Sequence, residues 1–193
     1  MKNNKAFFNK GFSLVELIIV IAIIAIISIS IAPTIIRYID KSRKADDVAA
    51  ADSIETAFKA CMSTEEIYEA VMKVDSITKS NTANSSTILL VSKNGDTEWS
   101  YFGTSSVDLS ELKKVMDETC QPPEIKFTKS VSPTDSSKSN LSYLLSSFND
   151  FVPGGWAIGI NPDGEICIYV TNGKSGAAMQ GVAINPPTCP AYK

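Results

Sequence analysis

Two hydrophobic patterns follow one another along this chain, and they change over near Pro33. From Phe12 to Ala32 apolar residues run with no polar face, broken only by Ser13, Glu16, Ser28 and Ser30. About twenty residues at helical rise span roughly 31 Å, the thickness of the hydrocarbon layer of a bilayer. Beyond Pro33 the pattern becomes periodic. Ala45, Val48, Ala51, Ile54, Phe58, Cys61 and Met62 recur every three or four residues, against a polar face of Asp46, Asp47, Asp52, Glu55 and Lys59. This spacing predicts a helix laid on a core. The two patterns join into one long helix over 12–62, loosened at Pro33 where a backbone donor is missing.

Shorter signals fill the rest. Ser63-Thr64-Glu65-Glu66 reads as a capping box opening a short helix that turns Ile67, Val71 and Val74 inward. A Ser/Asn/Thr-rich stretch from Thr78 to Thr87 reads as loop. Ile88–Val91 and Glu98–Phe102 read as strands around Asn94-Gly95, a strong hairpin signal because both residues tolerate positive φ. Asp108–Glu111 caps a helix to about Thr119 with Leu112, Val115 and Met116 inside, and Gln121-Pro122-Pro123 stops it. Glu124–Lys129 alternates like a strand. Ser130–Asn140 is polar, and Leu141–Phe151 fits helix or strand. Trp156–Ile160 and Glu165–Thr171 form a second hairpin about Asn161-Pro162-Asp163-Gly164, and Lys174–Lys193 reads as loop. One long helix beside four or five short strands predicts an α+β fold with an antiparallel sheet packed on the helix.

The chain has 193 residues, a net charge of −3 and no histidine. The commonest general base and metal ligand is therefore absent. No nucleophile elbow, phosphate loop or zinc-spaced cysteine pair occurs. Nothing points to an enzyme, a cofactor or a metal. The oxygen-rich Asn161–Glu165 segment invites a calcium reading, but it lacks EF-hand spacing and a plain turn with Pro second and Gly fourth accounts for it. Asn84-Ser85-Ser86 and Asn140-Leu141-Ser142 fit the glycosylation sequon, a pattern frequent by chance.

Glu16 is the informative residue. A lone acid in a lipid-soluble helix is costly and marks function, usually with a missing cation. A secretory signal would have a shorter core and an Ala-x-Ala-like site, and a plain anchor would not explain Glu16 or Gly-Phe at the entrance. Lys10-Gly11-Phe12-Ser13-Leu14-Val15-Glu16, with the apolar helix and Pro33 behind it, resembles the type IV pilin family, which includes the pseudopilins of type II secretion. The resemblance covers about the first 33 residues. It implies that residues 1–11 are a leader, that a prepilin peptidase cuts between Gly11 and Phe12 and methylates the new Phe12 amine, and that Glu16 neutralises that amine in a neighbouring subunit. The family often carries glycine where Ala25 stands, and Ala favours helix by roughly 1 kcal/mol.

The resemblance also implies the layout. Residues 12–32 form the membrane and filament core, and 63–193 form a head outside the cell. Basic residues flank the span on both sides (Lys2, Lys5 and Lys10 before it; Arg37, Lys41, Arg43 and Lys44 after), so the topology rule alone does not orient it. Without the leader, 15 basic residues face 21 acidic ones, a net charge of −6 that argues weakly against nucleic acid. Expected partners are other pilins in a homopolymer or heteropolymer, the peptidase, the inner-membrane assembly platform, and membrane lipid before assembly. Cys61, Cys120, Cys167 and Cys189 lie beyond the span, where disulfides persist, and allow three pairings. A Cys167–Cys189 bridge resembles the C-terminal loop of many pilins and would leave Cys61 with Cys120. The expectation is a pilus subunit. A pseudopilin for secretion or DNA uptake and a monomeric membrane-anchored binding protein are the alternatives.

Overall fold

The computed structural model describes residues 12–74, 87–102, 107–130, 151–161, 164–174, 179, 181–185 and 192. In chain order these hold α1 (Leu14–Cys61), α2 (Glu65–Met72), β1 (Thr87–Lys93), β2 (Ser100–Tyr101), α3 (Ser110–Thr119), β3 (Gly155–Ile160), β4 (Ile166–Thr171) and β5 (Gly181–Asn185). The layout is α+β. The chain divides into two units, one up to Lys41 and one from Ser42 onward.

In the first unit α1 is apolar all round. Its large side chains from Leu14 to Ile39 are exposed, and by length and composition it can cross a membrane. The helix continues through Pro33, whose ring removes only the N–H that would have met the Ile29 carbonyl.

The second unit is built on one antiparallel sheet in the order β2-β1-β3-β4-β5. One sheet face meets the α1 stripe of Ala51, Ile54, Ala57, Phe58 and Cys61, with Ile67 and Val71 of α2 and Leu112 and Met116 of α3. Each large side chain buried there contributes on the order of 1.5–3 kcal/mol. The other face covers a smaller cluster of Ile88, Ala157, Cys167, Tyr169, Met179 and Ala183. Both faces of β3 are therefore buried along its whole length. At Gly155 a Cβ would lie 2.2 Å from the Ser92 carbonyl oxygen, so only glycine lets β1 and β3 approach there. A register shift between Ile88 and Leu90 turns both Leu89 and Leu90 toward α1.

From Cys120 to Ser130 runs an extended strap, fastened by side chains rather than by a ladder. The Trp99 indole N–H donates to the Cys120 carbonyl (2.7 Å), and that of Trp156 to the Pro123 carbonyl (2.8 Å). Asn94 Oδ1 accepts from Ile125 N (3.0 Å). Asp47 on α1 accepts from Lys126 N (2.7 Å) and Phe127 N (3.1 Å). Phe127 lies under the Lys44 ammonium at 4.8 Å and meets Tyr192 edge-on at 5.9 Å.

Several expectations are corrected here. Glu124–Lys129 is not a strand, because Pro122 and Pro123 have no N–H and those of 125–127 are taken by side chains. Asp47 is not on the polar face but fully buried. The Asn94-Gly95 turn does not close a tight hairpin. Gly95 takes φ +92° and Asp96 N bonds Lys93 O, yet β2 pairs only from Ser100, opposite Val91. Trp99 is drawn inward instead, and its N–H goes to Asp117 Oδ1 at 2.6 Å. No capping box opens α2, since Ser63 Oγ donates back to Ala60 O. Within the tail expected to be loop, Gly181–Asn185 is strand β5, pinned to α1 where Asn185 Nδ2 reaches Asp52 (2.9 Å) and Glu55 (2.6 Å). The second hairpin, β3 to β4, forms as read. The expectations on Gly11, Asn84, most of Ser130–Phe151, Pro162, Asp163 and Cys189 lie outside the described residues.

Asp47→Ala leaves the buried Phe127 N–H and the part-buried Lys126 N–H without an acceptor and should cost about 2–4 kcal/mol, with Asp47→Asn costing less, in denaturant unfolding of the full chain in micelles. Equal stability of the alanine variant would show that the clasp contributes nothing. Burial raises the Asp47 carboxyl above 3.8, outweighing the two N–H bonds and Lys126, which lower it; Asp46 adds repulsion. The folded state then holds the proton more tightly than the unfolded chain. The linked stabilisation is complete below pH 3.8 and is lost as pH rises through the raised value. Asp47→Asn should remove that component from the stability–pH curve.

Candidate functional site

At the N-terminal end the described chain opens on Phe12, which is 92% exposed. Ser13 is the residue from which α1 starts. Its carbonyl accepts from Leu17 N (3.2 Å), and its N–H donates to Glu16 Oε2 at 2.9 Å. Ser13 Oγ lies 3.4 Å from Val15 N. Ser13-x-x-Glu16 is thus the Glu half of a capping box. The acid also sits in the first turn, where the helix dipole favours negative charge. The sequence expectation for Glu16 is a pairing between subunits and leaves out this local role, although the S-x-x-E spacing carries the signal.

The arrangement places an exposed aromatic residue, a helix start and a carboxylate within one turn. One carboxylate oxygen is used by the chain's own backbone, and a carboxylate has lone pairs for more than one donor. The site can therefore cap its own helix and accept a further cation. Pro33 lies about 26 Å further along the helix and is not part of this cluster. Ser28, in the apolar part of α1, returns its O–H to the Ile24 carbonyl at 2.7 Å and so keeps its donor satisfied within the helix.

The described cysteines sort by sheet face. Cys61 ends α1 inside the larger cluster, and Cys120, just past α3, packs against the same cluster; both are free thiols in this structure. Burial raises the pKa of each, and Cys120 lies close enough to Cys61 to oppose its ionisation further. Cys167 alternates with Ile168 on β4 and belongs to the opposite face.

Other polar clusters have structural work. Lys113 joins Asp117 and Glu98, whose hydrogen bonds raise its pKa, and fastens α3 to the segment that carries Trp99. Asn161 N bonds Glu165 O, and Gly164 N bonds Asn161 O, which closes the β3–β4 turn. Among the described residues no three His, Cys, Asp or Glu side chains converge as metal ligands.

Residues 8–32 match the model of the prokaryotic N-terminal methylation motif, the type IV prepilin signature, which supports a pilin-like family. No curated protein and no solved structure matches the chain.

Proposed function

We propose that the chain is a structural subunit of a type IV pilus, cleaved before Phe12 and assembled through α1 with its α+β head outside the cell. The observation that carries the reading is the prepilin motif over residues 8–32, lying on a helix whose apolar surface is exposed on all sides. The pilin-like family is structural and not enzymatic. One apolar N-terminal helix fits the single-pass anchor typical of prepilins.

The chemistry follows from the residues. Glycine at position 11 lets a peptidase approach the backbone closely. Cutting there frees an ammonium one residue ahead of the Ser13 cap, at the positive end of the α1 dipole, where it is poorly placed in its own chain. A Glu16 carboxylate on an adjacent subunit, still holding its own Ser13 N–H, supplies the countercharge. In low dielectric a charge left alone is costly, so the pairing favours docking in register. Membrane lipid surrounds α1 before assembly, and the partners are further pilins, the peptidase and the assembly platform. Pseudopilins share the motif, and the location of the protein separates the two readings.

Mass spectrometry of the native protein should find a first residue Phe12 carrying one added methyl group, and electron microscopy of sheared surface material should find fibres containing it. Confinement to the envelope with lost secretion or DNA uptake in a knockout would favour the pseudopilin. An unprocessed, solitary chain would favour the anchored binding protein. Glu16→Ala loses both cap and charge, whereas Glu16→Gln keeps an acceptor for Ser13 N–H. Both should be inserted and cleaved, and both should lower fibre yield at least about tenfold. Wild-type fibre yield from the glutamine variant would sink the pairing role.

A further inference from the structure

We propose that Cys61 and Cys120 are oxidised to a disulfide that closes the end of α1 onto the end of α3. The last turn of α1 buries Phe58 and the last turn of α3 buries Met116, both fully, in one cluster that also takes in the two cysteines. Each residue is held in place by its backbone. Cys61 O accepts from Thr64 N at 3.1 Å, while Cys120 N donates to Met116 O at 2.8 Å and Cys120 O accepts the Trp99 indole at 2.7 Å. The sheet stands between this pair and Cys167, whose side chain lies on the other face. Of the three connectivities, the two that join Cys167 to Cys61 or Cys120 would need a side chain to pass through β4. Among the described cysteines, Cys61 and Cys120 are therefore the two that share one sheet face.

The step balances with a small-molecule disulfide as oxidant. Cys120, which is partly accessible, attacks as thiolate on one sulfur of oxidised glutathione and expels the first glutathione thiolate. The thiolate of buried Cys61 then attacks Cys120 sulfur in the mixed disulfide and expels the second. The two cysteine protons end on the two leaving thiols. Burial of both groups keeps thiolate scarce, so closure should be slow at neutral pH and faster as pH rises.

In cells the bridge rests on the reading that the head leaves the cytoplasm, but its geometry can be tested without that reading. The purified full chain in micelles is equilibrated in glutathione redox buffers, alkylated and digested without reduction. The expected result is a joined pair of peptides carrying Cys61 and Cys120, and a Tm about 10 °C higher for the oxidised form, because the closed loop holds about 60 residues. Cys120→Ser, at the more exposed position, should fold, leave Cys61 open to alkylation after denaturation, and abolish that shift. Recovery of both thiols alkylated at every redox ratio, or of Cys61 joined to Cys167 or Cys189, would overturn the proposal. In native protein, a chain starting at Phe12 with both thiols free defeats the bridge and leaves the pilin reading standing. A bridged chain starting at Met1 does the reverse.

Discussion

Asp47 is a buried carboxylate on α1, and it grips two successive backbone N–H groups of the strap. A charged group in a core is tolerated only when hydrogen bonds replace its water, and here the replacement comes from residues some eighty positions away in sequence. The grip fixes where the strap crosses α1. The strap in turn offers its carbonyls to Trp99 and Trp156, two of the largest fully buried side chains. Remove the carboxylate and the Lys126 and Phe127 N–H groups lose their acceptor.

A second constraint runs along α1 itself, which must satisfy two surroundings in one uninterrupted helix. Up to Ile39 its large side chains face outward on every side, and a helix of that kind has no stable place in water alone. From Asp46 on, one stripe is buried and the other carries Asp46, Asp52 and Lys59. The helix satisfies its backbone hydrogen bonds internally apart from the Ile29 carbonyl opposite Pro33, so an apolar surface leaves few backbone groups unpaired. Glu16 belongs to this logic. It caps the first turn of its own helix and keeps capacity for a cation, so a carboxylate at the start of an apolar helix has a local hydrogen-bond partner.

Much of the head could be read from residue order alone. The Asn161–Gly164 turn between two apolar runs gives β3 and β4 because turn chemistry and alternation agree locally. Leu112 and Met116 declare the inner side of α3, as Ile67 and Val71 do for α2. Reading fails where a side chain answers to something distant. Asp47 follows the polar spacing of its neighbours, and Glu124–Lys129 alternates like a strand. Each departs from its pattern because the other captures it. Asn94-Gly95 makes a turn but not a tight hairpin, since burying Trp99 against Cys120 and Asp117 pulls the returning chain away from β1. Gly181–Asn185 is too short and small to announce itself, and becomes β5 only because β4 presents an open edge and α1 presents Asp52 and Glu55 to Asn185.

Sequence by itself determined the apolar helix, the prepilin motif at its entrance and the α+β class, because each depends on composition and spacing within a few turns of chain. Tertiary structure alone decided which carboxylate is buried, that the strap is held by side chains instead of a ladder, and which sheet face each described cysteine occupies. Those outcomes depend on hydrogen-bond partners and packing surfaces that come together only after the chain has folded back on itself, and no local pattern encodes a partner that remote.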